Sequence, residues 1–385
     1  MMNNICVVSS TRADFGQLFW LIEKIKNDPQ LNLQLIVTGS HLSPAFGNTN
    51  KEIIENGFEI IKKIEIILSS DSPVSISKSM GLAQISFSET FQEINPDIVI
   101  ILGDRAEMLA VASVALIAGI PIAHIHGGEV TEGAYDDSIR HAITKLSNLH
   151  FTSTEQYRNR VIQMGENPEF VFNVGALAIE SVLKIKYLSK SELEKKLGFT
   201  FKDRVFLITY HPETSLSADL VYVHFDDIIA AIDDFENTSL IFTYPNTDKN
   251  GDLIIRKIEE YVSKNSEKAK CFKSLGQVGY LSALKIADVV IGNSSSGILE
   301  APALKTATVN IGDRQKGRII GPTIFNCKPT KEEIIKSIKG ALNYDRFSHY
   351  DHPYGDGNTS DKIIKILKEK MGSSQIKHFF DIDFK

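Results

Sequence analysis

The sequence predicts an α/β protein made of two doubly wound parallel-sheet domains in tandem. Short β-branched runs recur along the chain, each followed by a turn signal and then a helical pattern. The alternation pauses once, over a lysine-rich amphipathic stretch at 183–204, and then resumes. At 385 residues the chain also exceeds the size at which a single core stops growing, so two cores fit its length better than one.

The first run, 5–8, opens the chain as a buried strand ending in the polar loop STRADFGQ. The N-terminus carries neither the basic flank nor the apolar core of a secretory signal, so export is not expected. Strands follow at 33–37 and at 98–102, the latter running into GDRAE at 103–107. The next segment, 108–125, is almost wholly apolar and reaches the minimum length of a membrane span. Gly119, Ile120 and Pro121 break it into an alanine-rich helix and a short strand at 122–125, and Asp104, Arg105 and Glu107 stand at its entrance. A buried helix and a buried strand are therefore expected, with no membrane partner.

That strand ends in HIHGGE, GGEVTEGAY forms a loop, and Asp136 or Asp137 caps a helix reading SIRHAITKL, with Ile139, Ile143 and Leu146 facing the core. Two further strands are expected at 151–153 and 171–174 before the lysine-rich border. The second series places strands at 205–209, 240–243, 289–291 and 308–311, again with helices between.

Composition narrows the function. The chain has 42 basic against 48 acidic residues, a net charge of −6 and no basic stripe, which argues against nucleic acid. Cys6, Cys271 and Cys327 lie far apart without a CxxC pair, so neither a disulfide framework nor a zinc site is expected, and a reducing cytoplasm fits.

Ligands of doubly wound sheets bind at the carboxyl ends of strands. The loops with unusual polar content there are STRADFGQ, GDRAE, HIHGGE, TYHPET and GNSSSGILE. GNSSSGILE follows a strand and opens a helix, so backbone N–H groups with the Ser294 and Ser295 hydroxyls suit a phosphate or diphosphate; ordinary N-capping is the alternative. Glu300, further into that helix, is placed to accept from ribose hydroxyls. Arg12, Arg105 and Arg314 sit in loops directly after strands, where anion recognition competes with pairing to Asp14, Asp104 and Asp313. His211 and Asn246 each follow a strand of the second series, beside a proline.

No GxGxxG, GxxxxGK[ST] or GxSxG is present. Strand alternation puts His124 and His126 on one side, as two metal ligands would be, but no third ligand is evident and no metal is expected. On the helix that follows, spacing pairs Asp136 with Arg140 and Asp137 with His141, while Asp104 approaches from the neighbouring strand end. Such a cluster of carboxylates and imidazoles suits general acid and base work.

STRADFGQL, VTGSHLSPAFGNT, LGDRAE, HIHGGEVTEGAYDDSIRHAITK, HPET, GNSSSGILEAP, NIGDRQKGR and YGDGNTSDKI together closely resemble the hydrolysing UDP-N-acetylglucosamine 2-epimerases, across nearly the whole chain. The resemblance implies the glycosyltransferase-B architecture, two Rossmann-like domains with an interdomain cleft. The first domain would span 1–180, the second 181–357, and a C-terminal helix at about 358–375 would pack back on the first.

It also implies conversion of UDP-N-acetylglucosamine and water to UDP and N-acetylmannosamine, without metal or cofactor, by anti elimination and hydration at C2, in a cytoplasmic homodimer or higher homo-oligomer of sialic acid and capsule biosynthesis. Arg12, Gly16, Arg105, His211, Asn246, Ser294, Ser295, Glu300 and Arg314 would hold UDP, and Asp104, His126, Glu129 and Asp136 would do the sugar chemistry. Some relatives carry a catalytic glutamate where this chain has His126, so either His126 or Glu129 would be the base. A UDP-2,4-diacetamido-2,4,6-trideoxy sugar is the alternative substrate. A UDP-sugar glycosyltransferase or a non-catalytic UDP-binding protein would share the fold, but the acid-rich GGEVTEGAYDDS loop argues against both.

Overall fold

A computed structural model describes residues 2–68, 70, 72–131, 135–213, 216–245, 251–346, 352–372 and 376–382. The chain divides into two compact units, one built from Met1–Glu129, Tyr135–Leu183 and Pro353–Lys385, the other centred on Lys184–His352.

The first unit runs β1 (Asn3–Ser9), α1 (Arg12–Asn27), β2 (Leu31–Thr38), α2 (Asn50–Glu55), β3 (Lys62–Ile64), α3 (Pro73–Ile94), β4 (Ile98–Leu102), α4 (Ala106–Ile117), β5 (Ile122–Ile125), α5 (Tyr135–Leu146), β6 (Leu149–Thr152), α6 (Glu155–Gln163), β7 (Val171–Asn173) and α7 (Leu177–Lys184). Its seven strands are parallel in the order β3-β2-β1-β4-β5-β6-β7. Apolar layers cover both faces, one formed with α1 and the other with α3 and α4. That is why β4 reads as an unbroken apolar run rather than an alternating one. The apolar stretch at 108–125 is resolved as expected into α4 and β5. Among the described residues no helix is long and apolar enough to cross a membrane.

The second unit runs α8 (Lys190–Leu197), β8 (Arg204–Thr209), α9 (Ala218–Ile232), β9 (Thr238–Thr243), α10 (Gly251–Lys264), β10 (Ala269–Phe272), α11 (Gly276–Ile286), β11 (Val289–Gly292), α12 (Ser296–Ala303), β12 (Ala307–Ile311), β13 (Ile324–Cys327) and α13 (Lys331–Leu342). Its six strands are parallel in the order β10-β9-β8-β11-β12-β13. The last helix, α14 (Thr359–Lys370), belongs to the first unit, where Ile363 and Leu367 join the core beside α1.

Both sheets reverse their strand order at one place, between β1 and β4 in the first and between β8 and β11 in the second. The loops after those four strands are four of the five with unusual polar content, at the topological switch points where such sheets bind ligands; the fifth, HIHGGE, follows the neighbouring β5.

Candidate active site

In the first unit the loops after β1, β4 and β5 lie side by side, and His124 in β5 is the pin between them. It is fully buried, and its Nε2 donates to the Gly103 carbonyl at 2.8 Å. A carbonyl only accepts, so Nε2 carries the proton and Nδ1 accepts from the Thr144 hydroxyl at 3.1 Å. Burial holds the ring neutral, its pKa pushed down to about 3. With both nitrogens engaged, His124 ties the turn before Asp104 to α5 and is not offered to a metal. Among the described residues no group of three His, Cys, Asp or Glu is placed to hold one.

His126 lies just past the end of β5, where strand alternation no longer sets the direction of a side chain. The strand ends at Ile125, and His126 takes a left-handed φ of 67°. A non-glycine residue there is strained, and such strain clusters at functional sites. Its ring is buried, with Nδ1 3.7 Å from Glu129 Oε1. Gly128 turns the chain back at φ 79°, and a Cβ there would collide with the Tyr157 carbonyl, so only glycine fits. Glu129 is thereby brought under cover, where its carboxylate accepts from the Ser153 hydroxyl at 2.9 Å.

Arg140 on α5 organises the acids. Its side chain is 2% exposed and it reaches Asp104 Oδ2, Asp137 Oδ1 at 3.1 Å and the Glu129 carbonyl at 3.0 Å. Spacing alone had paired it with Asp136; the structure shows it bridging Asp137, one turn back, and the strand-end Asp104. The Asp137–His141 pair is present at 3.4 Å. Burial lowers the His141 pKa. Asp136 is partly buried in the first turn of α5. Ile143 is buried, with Ile139 and Leu146 packed against the same core, as the helical period required.

Asp104 meets Arg140, whereas Arg105 Nε lies on Glu107 at 2.7 Å, so the two adjacent residues serve different partners. Arg12 is the first residue of α1. Asp14 accepts from the Ser10 hydroxyl at 2.9 Å and the Thr11 amide at 3.0 Å, closing a capping box with Thr11. The Gly16 carbonyl accepts from Ser181 at 3.1 Å. His41, a residue the sequence reading did not single out, is buried between Ser9 Oγ at 2.9 Å and Thr49 Oγ1 at 2.7 Å, with its pKa pushed down by burial to about 4. It fastens the turn after β2 to the end of β1.

In the second unit the loops after β8 and β11 are locked by Asn293, another residue without a sequence signal. Its side chain accepts from the His211 amide at 2.7 Å and donates to the His211 carbonyl at 2.8 Å. Its own carbonyl accepts from Arg314 at 3.1 Å and Gln315 at 2.8 Å. Gly292 has φ 135°, and a Cβ would strike the Thr209 carbonyl, so the close approach of β11 to β8 requires glycine.

Helix α12 starts directly after this turn. Ser295 stands at its N-cap without a side-chain capping bond, while the Ser294 hydroxyl accepts from the Ser296 amide at 3.4 Å, as the ordinary-capping alternative has one serine do. Ser294 and Ser295 keep partial exposure beside the helix start. Glu300 lies within α12, and burial raises its pKa. Tyr187 lies in its field, the phenol pushed up to about 12 by burial and by the Glu300 charge, and Lys285 Nζ sits 4.1 Å from the Tyr187 ring centre. Asn246 lies outside the described residues.

Both units are parallel doubly wound sheets, one with carboxylates grouped beside its switch point and the other with a serine-rich turn that opens a helix there. The model of the UDP-N-acetylglucosamine 2-epimerase family matches residues 23–368, and the chain belongs to that family, in its hydrolysing branch.

A Campylobacter jejuni protein named GDP/UDP-N,N'-diacetylbacillosamine 2-epimerase (hydrolyzing) is 51% identical over 315 residues, 82% of each chain. The polysialic acid biosynthesis protein P7 of Escherichia coli is 39% identical over 99% of this chain and 98% of its own. A Legionella pneumophila UDP-N,N'-diacetylbacillosamine 2-epimerase (hydrolyzing) is 35% identical over 98% of each. The fold matches the solved UDP-GlcNAc 2-epimerase of Neisseria meningitidis bound to UDP-GlcNAc at a TM-score of 0.81 and 17% identity, over 95% of this chain and all of that one.

Proposed function

We propose that the chain is a hydrolysing 2-epimerase of a UDP-linked 2,4-diacetamido-2,4,6-trideoxy sugar. The observation that carries this is substrate naming among the relatives: the proteins 51% and 35% identical are both named for diacetylbacillosamine. The sequence motifs alone had favoured UDP-N-acetylglucosamine, because they report the nucleotide and the C2 chemistry and not the substituents at C4 and C6.

In this reading the second unit holds the nucleoside diphosphate. The serine-rich turn before α12, with the Ser294 and Ser295 hydroxyls, takes the diphosphate and Glu300 the ribose, and Arg12, Gly16, Arg105, His211, Asn246 and Arg314 belong to the same proposed UDP-binding set. The first unit acts on the sugar. A base, His126 or Glu129, removes the C2 proton; the C1–O bond breaks and its electron pair leaves with UDP, giving the 1,2-unsaturated sugar. Water then adds its hydroxyl to C1 and a proton reaches C2 from the opposite face, with Asp104 and Asp136 as the acid and base groups for that half. Arg140 positions Asp104. The buried position of Glu129 beside His126, 3.7 Å away, supports one proton-handling pair.

The test is incubation in deuterated water, without acceptor, of UDP- and GDP-linked N-acetylglucosamine and 2,4-diacetamido-2,4,6-trideoxyglucose. Fast UDP release from the diacetamido substrate, with deuterium at C2 of the inverted sugar, is expected. Faster turnover of UDP-N-acetylglucosamine would instead favour the sialic acid reading, for which the 39% identity to a polysialic acid biosynthesis protein speaks. Release only with an acceptor would point to a transferase. A cytoplasmic homo-oligomer belongs to the same proposal, supported by exposed Val74, Ile85, Leu116 and Ile117 on α3 and α4, and is checked by light scattering.

A further inference from the structure

Helix α5 packs Ile139, Ile143 and Leu146 on the core, but of its 12 residues only Arg140, Ile143 and Thr144 are buried. Its pose therefore also depends on polar ties, and those of Arg140 secure its leading half. At its other end Thr144 meets His124 and Lys145 Nζ bonds Glu166 and the Met164 carbonyl, and a further set of ties comes from a segment more than 200 positions along the chain. Lys377 Nζ donates to the carbonyls of Lys145 and Ser147 at 2.7 Å each and lies 3.4 Å from that of Thr144. Carbonyls at a helix end lack intrahelical donors, and a cation there also opposes the helix dipole.

The same ammonium is 2.8 Å from Glu166 Oε2, which lies 2.9 Å from His150 Nε2, while Glu166 Oε1 accepts from Lys145 Nζ at 2.6 Å. Burial alone would raise the Glu166 pKa, but these partners pull it down to about 2, so it stays an anion. Two residues on, the Phe379 ring occupies the space a Cβ would need at Gly165, 5.0 Å from Lys145 Nζ, and the Phe380 amide donates to the Gly165 carbonyl at 2.9 Å.

We propose that Lys377 is a positioning residue for the sugar-side cluster: with Glu166 it clamps the trailing end of α5 and so fixes Asp136, Asp137 and Arg140 at the leading end. The inference rests on the epimerase reading above. A helix of this length is about 18 Å long, so a tilt of about 4° moves its far end by about 1 Å. Misplacement of that size costs catalysis up to about 100-fold.

Lys377→Met keeps the aliphatic stem and removes the donors, and Lys377→Arg restores charge and donors. With folded protein well below its melting temperature, Lys377→Met should lower kcat about 10- to 100-fold, leave the UDP Kd within about twofold and speed amide exchange in 135–146 but not in α1, and Lys377→Arg should recover most of the loss. Unchanged kcat, or a lower kcat with unchanged exchange in α5, would overturn the clamp. Should Lys377→Met not fold, Phe379→Ala detaches the tail without touching Glu166 or the helix carbonyls, and the same kcat and exchange changes are expected of it. A wild type that turns over none of the four sugar nucleotides would sink the functional reading instead, and α5 exchange would still decide the clamp.

Discussion

Replacing Arg140 by methionine tests the organisation of the cluster most directly. The substitution keeps an unbranched apolar stem and removes a guanidinium bonded to Asp104, Asp137 and the Glu129 carbonyl. Deleting one partner of a buried ion pair costs about 3–5 kcal/mol, because the other charge is left without compensation. The Asp104 and Asp137 side chains retain 26% and 29% exposure, so water recovers part of that loss and the lower end, about 3 kcal/mol, applies. For a unit of this size that corresponds to a drop of about 6–12 °C in melting temperature. Arg140→Lys restores charge without the planar fork and should recover less than half of it. UDP release should fall about 100-fold in folded protein while UDP affinity stays near normal. Differential scanning calorimetry reads the first effect and single-turnover kinetics the second. A melting temperature within about 2 °C of wild type would show that Arg140 does not hold the cluster together.

Acid should destabilise the first unit through His124 and His41, whose folded pKa values of about 3 and about 4 lie below the ordinary 6.5. The unfolded chain then binds protons that the folded one refuses, so stability is full above pH 6.5 and falls towards pH 4, by about 2 kcal/mol per histidine at about pH 5; equal urea midpoints at about pH 5 and 7.5 would refute this. Glu300→Ala should weaken UDP by about 1.5–3 kcal/mol in calorimetry, and unchanged affinity would remove Glu300 from the ribose. Asp104→Asn should abolish turnover with UDP affinity near normal; full turnover would reduce Asp104 to a structural partner of Arg140. His126→Ala should depress turnover strongly while chelator leaves the wild type unaffected, and chelator-sensitive activity restored by a divalent ion would reverse that assignment.

The central strands were legible because burial on both faces leaves an unbroken apolar run, as in β4 and β11. The strands that escaped, β3, β10 and β13, sit at sheet edges, where KKI, AKCF and IFNC are only half covered and carry no such run. Within the site, sequence spacing found Asp137 with His141 because both lie on one helix. Strand order, not spacing, brought Asp104 to the face of Arg140, 36 positions away, and neither found Asn293 with His211, across 82. Alternation does not govern His126, because the strand stops one residue earlier and a left-handed turn followed by Gly127 and Gly128 redirects the chain. The tail contacts of Lys377 left no periodic signal, since a lysine in a polar terminus looks solvated until its partners are known.

The same strand order occurs twice, yet the two switch points carry different chemistry. In the first unit the strand ends deliver side chains that titrate, and two buried histidines are pinned through both ring nitrogens, so that they shape loops rather than exchange protons. The proposed acid and base groups, His126, Glu129, Asp104 and Asp136, stand apart from those two rings. In the second unit the strand end delivers glycine, serine and a helix start, groups that do not titrate near neutral pH. On the proposed reading, an elimination that expels a diphosphate needs both kinds of environment, groups that exchange the C2 proton and groups that take up the charge of the leaving diphosphate.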